Sequence, residues 1–239
     1  MYLEGLTGRG VRVAFIDSGV NPAHPHVGGV AGAVEITPDG EGEVYLDYLG
    51  HGTAVAGAIR EKAPEALLYA VKVFQRSLVT HIDRIIRAIE WCLSREIHII
   101  NLSLGTLNAA HRARFEQVVE RAATVGSVLV AAGEASGQQS LPGCLPGVIP
   151  VGLDWECPRD AYRCSWKDSR LLFFASGYPR SIPGIPPQRN LNGISFAVAN
   201  MAGFVARARQ ACGEGSLTSL QKVLVDGAGW AAAPETTPN

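Results

Sequence analysis

An α/β fold, with a doubly wound, mostly parallel sheet and helices on both faces, is what this sequence predicts, and three observations predict it. Short apolar runs bounded by glycine or polar residues lack the alternation of a half-exposed sheet, which suits strands covered on both faces. Between them lie longer segments whose apolar residues recur every three or four positions, the period of amphipathic helices. The two patterns take turns along the chain, which implies parallel strands joined by right-handed crossovers. The 239 residues, 47% hydrophobic and 18% charged, are enough for one large core. No repeat or internal linker divides them, so a single domain over 1–239 is predicted, with its core at about 10–225.

The first strand is 11–16 (VRVAFI), between Gly10 and Asp17-Ser18-Gly19. HGTAVAGAI, opening at His51, has residues small enough for a tightly packed helix, and 67–74 is the next strand. Ile82, Ile85, Ile86, Ile89 and Leu93 mark a helix over 80–96, and 97–102 returns to strand. Phe115, Val118, Val119 and Ala122 mark another helix, followed by the β-like run 127–132 (SVLVAA). Over 141–188 eight prolines interrupt the pattern, leaving short strands at 148–153 and 171–175 among long loops. Helices are predicted at 195–209 and 216–225, and the Pro/Thr-rich 231–239 reads as a frayed tail.

Lys plus Arg number 21 and Asp plus Glu 22, a formal charge of −1 with no long run of either sign. Binding to nucleic acid or an anionic membrane through bulk charge is therefore not expected. No stretch reaches the roughly 18 consecutive apolar residues of a membrane span. The opening Met1-Tyr2-Leu3-Glu4-Gly5 carries no basic-then-apolar signal. The five cysteines, Cys92, Cys144, Cys157, Cys164 and Cys212, are an odd number. Together these point to a reduced, cytoplasmic protein, or a secreted one if a leading segment has been removed. The interval from Cys157 to Cys164 is not that of a zinc finger or ribbon, so loop and core thiols are expected there.

In an open parallel sheet, reactive groups gather at the carboxyl ends of strands and at the helix starts beyond them. Asp17 follows the first strand in FIDSG, His51 opens HGTAVAGAI, and Ser195 enters an Ala-rich helix in NGISFAVANMAG. A serine hydroxyl is a weak nucleophile until a neutral imidazole takes its proton, and the imidazole needs a carboxylate to fix its tautomer and stabilise its cation. Singly, each residue has a plainer role as turn cap, structural histidine or helix cap. Jointly, they are the set for a serine nucleophile. An α/β-hydrolase esterase fits poorly, because its acid and base follow the serine in the chain.

With these blocks the sequence resembles the subtilisin-like serine proteases over nearly its whole length. VAFIDSGVNPAHP, HGTAVAGAI, LYAVKVF, IINLSLG, VLVAAG and NGISFAVANMAG carry the resemblance, in the family's order of Asp, His, Ser. It implies a serine endopeptidase acting on peptide or protein substrates. Asp17 would orient, His51 would act as base and then acid, and Ser195 would attack the scissile carbonyl. It also implies substrate-binding backbone at Ser103, Leu104 and Gly105 and at Ala131, Ala132 and Gly133, with an extended peptide adding as a strand along the first segment. No organic cofactor or metal is implied. The join at 60–66 (REKAPEA) is shorter than the family's common version, so the calcium loop carried there is expected to be deleted. No pro-domain is recognisable ahead of the first strand, so either it has been removed or the protein is expected to fold without one, and a specialised intracellular processing protease, such as one that cuts leader peptides, is the narrower expectation.

The chain departs from the pattern where an oxyanion would form. Glu134 stands where the family has the Asn that donates to it, leaving the Ser195 backbone N–H as the remaining donor, and Ile194 replaces a Thr. Three outcomes stay open: Glu134 protonated in a desolvated site and donating; Glu134 swung away with Gln138, Gln139 or water in its place; or a silent pseudoprotease that binds peptides in the same groove. Ala199 replaces a Pro, and Ala54 and Asn200 replace histidines.

Overall fold

The run at 11–16 becomes the centre of the molecule, β1 (Arg12–Asp17), with parallel strands on both sides. This computed structural model describes residues 3–135, 137–167, 169–213 and 215–228. In chain order, β1 is followed by β2 (Gly32–Ile36), β3 (Glu41–Gly42), α1 (His51–Lys62), β4 (Leu67–Lys72), α2 (Ile82–Ser94), β5 (Ile99–Leu102) and α3 (Arg112–Thr124). Then come β6 (Val128–Ala132), the hairpin of β7 (Glu134–Ala135) and β8 (Gln138–Gln139), β9 (Val148–Leu153), β10 (Tyr162–Lys167), β11 (Arg170–Ala175), α4 (Ile194–Cys212) and α5 (Leu217–Gly227). Nine strands form one sheet in the order β10-β11-β9-β6-β5-β1-β4-β2-β3, parallel except for the outermost pairings, β10 with β11 and β3 with β2.

Alternation within the buried strands divides the core between two faces. Val13, Phe15, Leu68, Ala70, Ile99 and Val130 pack with α1 and α4. Ala14, Ile16, Val71, Ile100 and Leu129 pack with α2 and α3. From β1 the sheet grows through β4 in one direction and β5 in the other, so the crevice beyond the carboxyl ends of β1 and β5 is the switch point where such sheets bind ligands.

The predicted elements are present with shifted ends. The helix read at 195–209 runs from Ile194 to Cys212, and the strand read at 67–74 stops at Lys72. Ser216 caps α5, accepting from Ser219 N–H at 3.3 Å. Four pieces had no counterpart in the sequence reading: β2, β3, β10 and the β7–β8 hairpin. β2 (GAVEI) is half Gly, Ala and Glu, while β10 alternates inward Tyr162 and Cys164 with more exposed partners, as an edge strand does. The predicted tail at 231–239 lies outside the described residues. Among those described, no helix is long and apolar enough to cross a membrane, and the five cysteines are free thiols.

The join between α1 and β4 is only residues 63–66, and Arg60 binds it from within. Its Nη1 donates to the carbonyls of Pro64 (3.0 Å) and Ala66 (2.8 Å), its Nε to Val27 (2.9 Å) and its Nη2 to Gly29 (3.1 Å).

Candidate active site

Asp17 is the last residue of β1 and is wholly buried; His51 is the first of α1. His51 Nδ1 lies 2.7 Å from Asp17 Oδ1, which also accepts the Ser18 N–H at 2.7 Å. With its proton on Nδ1, the imidazole presents Nε2 as the base. Two glycines allow this approach. Gly50, at φ +78°, turns the chain into α1 through a left-handed conformation, and a Cβ on Gly52 would stand 2.2 Å from the Gly19 carbonyl oxygen, so α1 lies against the β1 turn only with no side chain there. Burial pulls the His51 pKa down, but the hydrogen bond and charge of Asp17, with the charge of Asp47, outweigh it and hold it above the ordinary histidine value.

Asp47, which sequence reasoning missed, organises this corner. Its Oδ1 accepts from Ser18 Oγ, Leu49 N–H and Gly50 N–H, each at 2.9 Å, and its Oδ2 from Thr53 N–H (2.8 Å) and Thr53 Oγ1 (2.7 Å). Ser18 Oγ in turn accepts the Gly52 N–H at 2.9 Å. Gly50 offers no side chain to cap α1, so Asp47 and Ser18 satisfy its first-turn donors from outside the helix. The Asp near the start of LDYLGHG was the available signal: an N-cap residue type displaced four places upstream of His51.

Ser195 lies in the first turn of α4, behind Gly193 at φ +132°, and no side chain caps that helix start. Its Oγ donates to the Ser103 carbonyl oxygen at 3.2 Å, Ser103 Oγ reaches the Ser195 carbonyl at 3.2 Å, and Asn101 Nδ2 donates to Ser103 Oγ at 2.8 Å. The end of β5 and the start of α4 are thus stitched together. On the other side, the ring of Phe196 sits 5.3 Å from that of His51. Asp17, His51 and Ser195 therefore converge on one crevice, with the hydroxyl turned to Ser103 rather than to the imidazole.

Among the other predicted site residues, Leu104 and Gly105 line a cavity of about 250 Å³ with Phe74, Val79 and Ile85. Ala131 is wholly buried and paired in register with Leu102 on one side and Pro150 on the other, so it belongs to the sheet interior rather than to a groove wall. Gly133 donates to Val151 and accepts from Ser140, both at 3.0 Å, which fixes the turn after β6 and Ala132. Glu134 corrects one expectation. A desolvated carboxyl is not what the chain builds: the Glu134 side chain is 44% exposed, its Oε1 lies 3.2 Å from Lys167 Nζ, and it lines a small cleft with Lys167 and Arg170.

The calcium-binding donors that the family carries after this helix do not fit this connector. The carbonyls of Pro64 and Ala66 are taken by Arg60, and Glu65 is paired with Arg9.

The subtilase family pattern matches residues 8–238, and the chain belongs to that family. Subtilisin E of Bacillus subtilis (strain 168) is 31% identical over 231 residues, which cover 86% of this chain and 57% of that protein. The chain thus spans a little over half the length of that relative. In fold, it is similar to the crystal structure of a cold adapted subtilisin-like serine proteinase (TM-score 0.72, 22% identity, 94% of this chain and 86% of that one). It is also similar to that of a lanthipeptide protease (TM-score 0.69, 19% identity, 89% and 78%).

Proposed function

We propose that the chain is a serine endopeptidase that hydrolyses peptide bonds through an acyl-enzyme on Ser195. The observation that carries this reading is the 2.7 Å His51–Asp17 hydrogen bond to a wholly buried carboxylate, aimed at the crevice where Ser195 begins its helix. The Ser195 hydroxyl turns from the Ser103 carbonyl to His51 Nε2 by a change of rotamer. His51 takes its proton as Oγ bonds to the scissile carbonyl carbon, Asp17 stabilises the imidazolium, and the proton passes to the leaving amine as the C–N bond breaks. Water, deprotonated by His51, then cleaves the ester. The Ser195 N–H, uncapped at the start of α4, supports the oxyanion. An extended peptide lies along Ser103–Leu104–Gly105. No cofactor enters the scheme.

The test is labelling with a fluorophosphonate probe across a pH series, with Ser195→Ala as control. Labelling that depends on Ser195 is the expected result; none at any pH would leave the alternative, a silent peptide-binding relative, which Glu134 and the Ser103-bound hydroxyl favour. Because the His51 pKa is raised, its base form appears at higher pH than that of an ordinary histidine. The acidic limb of kcat/KM is therefore expected to be shifted upward, and Asp47→Asn, which removes one of the raising charges, should move it to lower pH. Glu134→Asn is expected to raise kcat, by up to about 10²-fold, because it replaces a negative charge with a donor; a dead Glu134→Asn variant beside an active wild type would overturn this account of the site.

A cytoplasmic processing role, on a peptide precursor rather than bulk protein, is the narrower form of the proposal. It is supported by the fold shared with a lanthipeptide protease. Its check is whether the purified protein makes one cut in a precursor peptide while leaving denatured casein intact; general digestion would contradict it.

A further inference from the structure

At the start of α1, lined by Gly50 next to His51 and sharing no lining residue with the Leu104–Gly105 cavity, lies a cavity of about 260 Å³. One wall is the first turn of α1, with Gly50 and Thr53; another is Asn190 and Leu191, just ahead of Gly193 and Ser195. The segments that carry the base and the nucleophile therefore both continue into it. The ionisable groups around it are His24, His26, Asp47 and Arg180.

Their charges do not cancel. Both Asp47 oxygens are occupied by the α1 start and the turn before it, so its carboxylate is committed inward. Arg180 has one long hydrogen bond, from Nη1 to the His26 carbonyl at 3.4 Å, and among the described residues it forms no ion pair. The rings of His24 and His26 meet edge to face at 5.0 Å. Burial, with the positive charge of Arg180, holds the His26 pKa below the ordinary value, so this ring adds polarity without charge near neutrality. The backbone that presents Arg180 is braced: Asn200 Nδ2 donates to the carbonyls of Ser176 and Tyr178 at 3.0 Å, and Asn190 Nδ2 reaches the Arg180 carbonyl at 3.4 Å. A guanidinium without an ion-pair partner among the described residues, held over a cavity of side-chain size, is suited to one kind of guest, a carboxylate.

We propose that this cavity binds an acidic side chain, Asp or Glu, of the peptide substrate on the leaving-group side of the scissile bond, with Arg180 as its anchor. This rests on the endopeptidase reading above. The acyl half of the peptide is accounted for by the Ser103–Gly105 edge across Ser195, and the departing amine takes its proton from His51. The opening beyond His51 is therefore where the chain following the cut must run.

The experiment uses internally quenched peptides that differ only in having Glu, Gln or Lys at each of the first three positions after the cut. At one position Glu is expected to exceed Lys in kcat/KM by about tenfold or more, falling as salt rises. Arg180→Gln should abolish the preference and Arg180→Glu reverse it, whereas Arg95→Glu, the same charge change far from the cavity, should not alter it. Cleavage with no Glu preference at any position, or a preference that survives Arg180→Gln, overturns the proposal. If wild type proves unable to react at Ser195, the same peptides are titrated against Ser195→Ala by fluorescence anisotropy. Glu peptides should then bind more tightly in an Arg180-dependent way, and equal binding of the Glu and Lys peptides overturns the proposal independently of the chemistry.

Discussion

Asp17→Asn is expected to lower kcat/KM by about 10³–10⁴ while leaving the fold intact. Both hydrogen bonds to Asp17, from Ser18 N–H and His51 Nδ1, converge on Oδ1, and Oδ2 is buried with no partner among the described residues. An asparagine can therefore keep its oxygen where Oδ1 now sits and still hold the imidazole in place. What it removes is the negative charge that offsets the imidazolium formed during proton transfer. The same loss lets burial dominate the His51 pKa, so the residual activity should show its acidic limb at lower pH than wild type. The measurement is a pH profile of kcat/KM for both proteins. A fall of less than tenfold, with an unmoved limb, would mean that Asp17 is a structural residue and that the chemistry lies elsewhere.

The second large effect is on stability. Arg60→Ala should cost about 2–4 kcal/mol, because four carbonyl oxygens lose their donor at once and those facing inward are left unsatisfied. For a chain of this size that is a drop in Tm of roughly 4–16 °C. Arg60→Lys keeps the charge but not the planar fork, so it should recover only a minor part. A chelator, by contrast, should leave the wild-type Tm unchanged, since the guanidinium already occupies oxygens of the connector. A chelator-induced fall of several degrees would show that a metal contributes where the side chains argue against one.

The strands and helices that were legible in the sequence are those whose burial is one-sided or complete. β1 and β6 are continuous apolar runs because helices cover both faces, and the apolar stripe of α2 spaces Ile82, Ile85 and Ile89 as its single buried face demands. β2 and the β7–β8 hairpin were not legible because sheet pairing and neighbouring loops, rather than their own side chains, hold them extended. At the site, Asp17, His51 and Ser195 could be singled out because each interrupts a strong local pattern. The contribution of Asn200 could not, since an isolated polar residue in sequence gives no sign that it will be buried against backbone more than twenty positions away. Glu134 shows the opposite limit: its identity was plain, but whether it sat dry or wet depended on Lys167, more than thirty positions away.

The clamp of Asp47 and Ser18 on the start of α1, with Gly52 pressed against Gly19, has a consequence for what this protein selects. Backbone amides tied so closely are expected to exchange their protons only through larger openings of the structure, which would place this corner in its slow-breathing part rather than in a mobile lid. A rigid crevice cannot wrap around its guest. On the endopeptidase reading the guest must do the adapting, and a polypeptide stretch already free to straighten would be the one to enter, as a folded domain offers mainly at its loops and termini. Where a cut falls would then be decided as much by the local pliancy of the partner chain as by the side chains it presents.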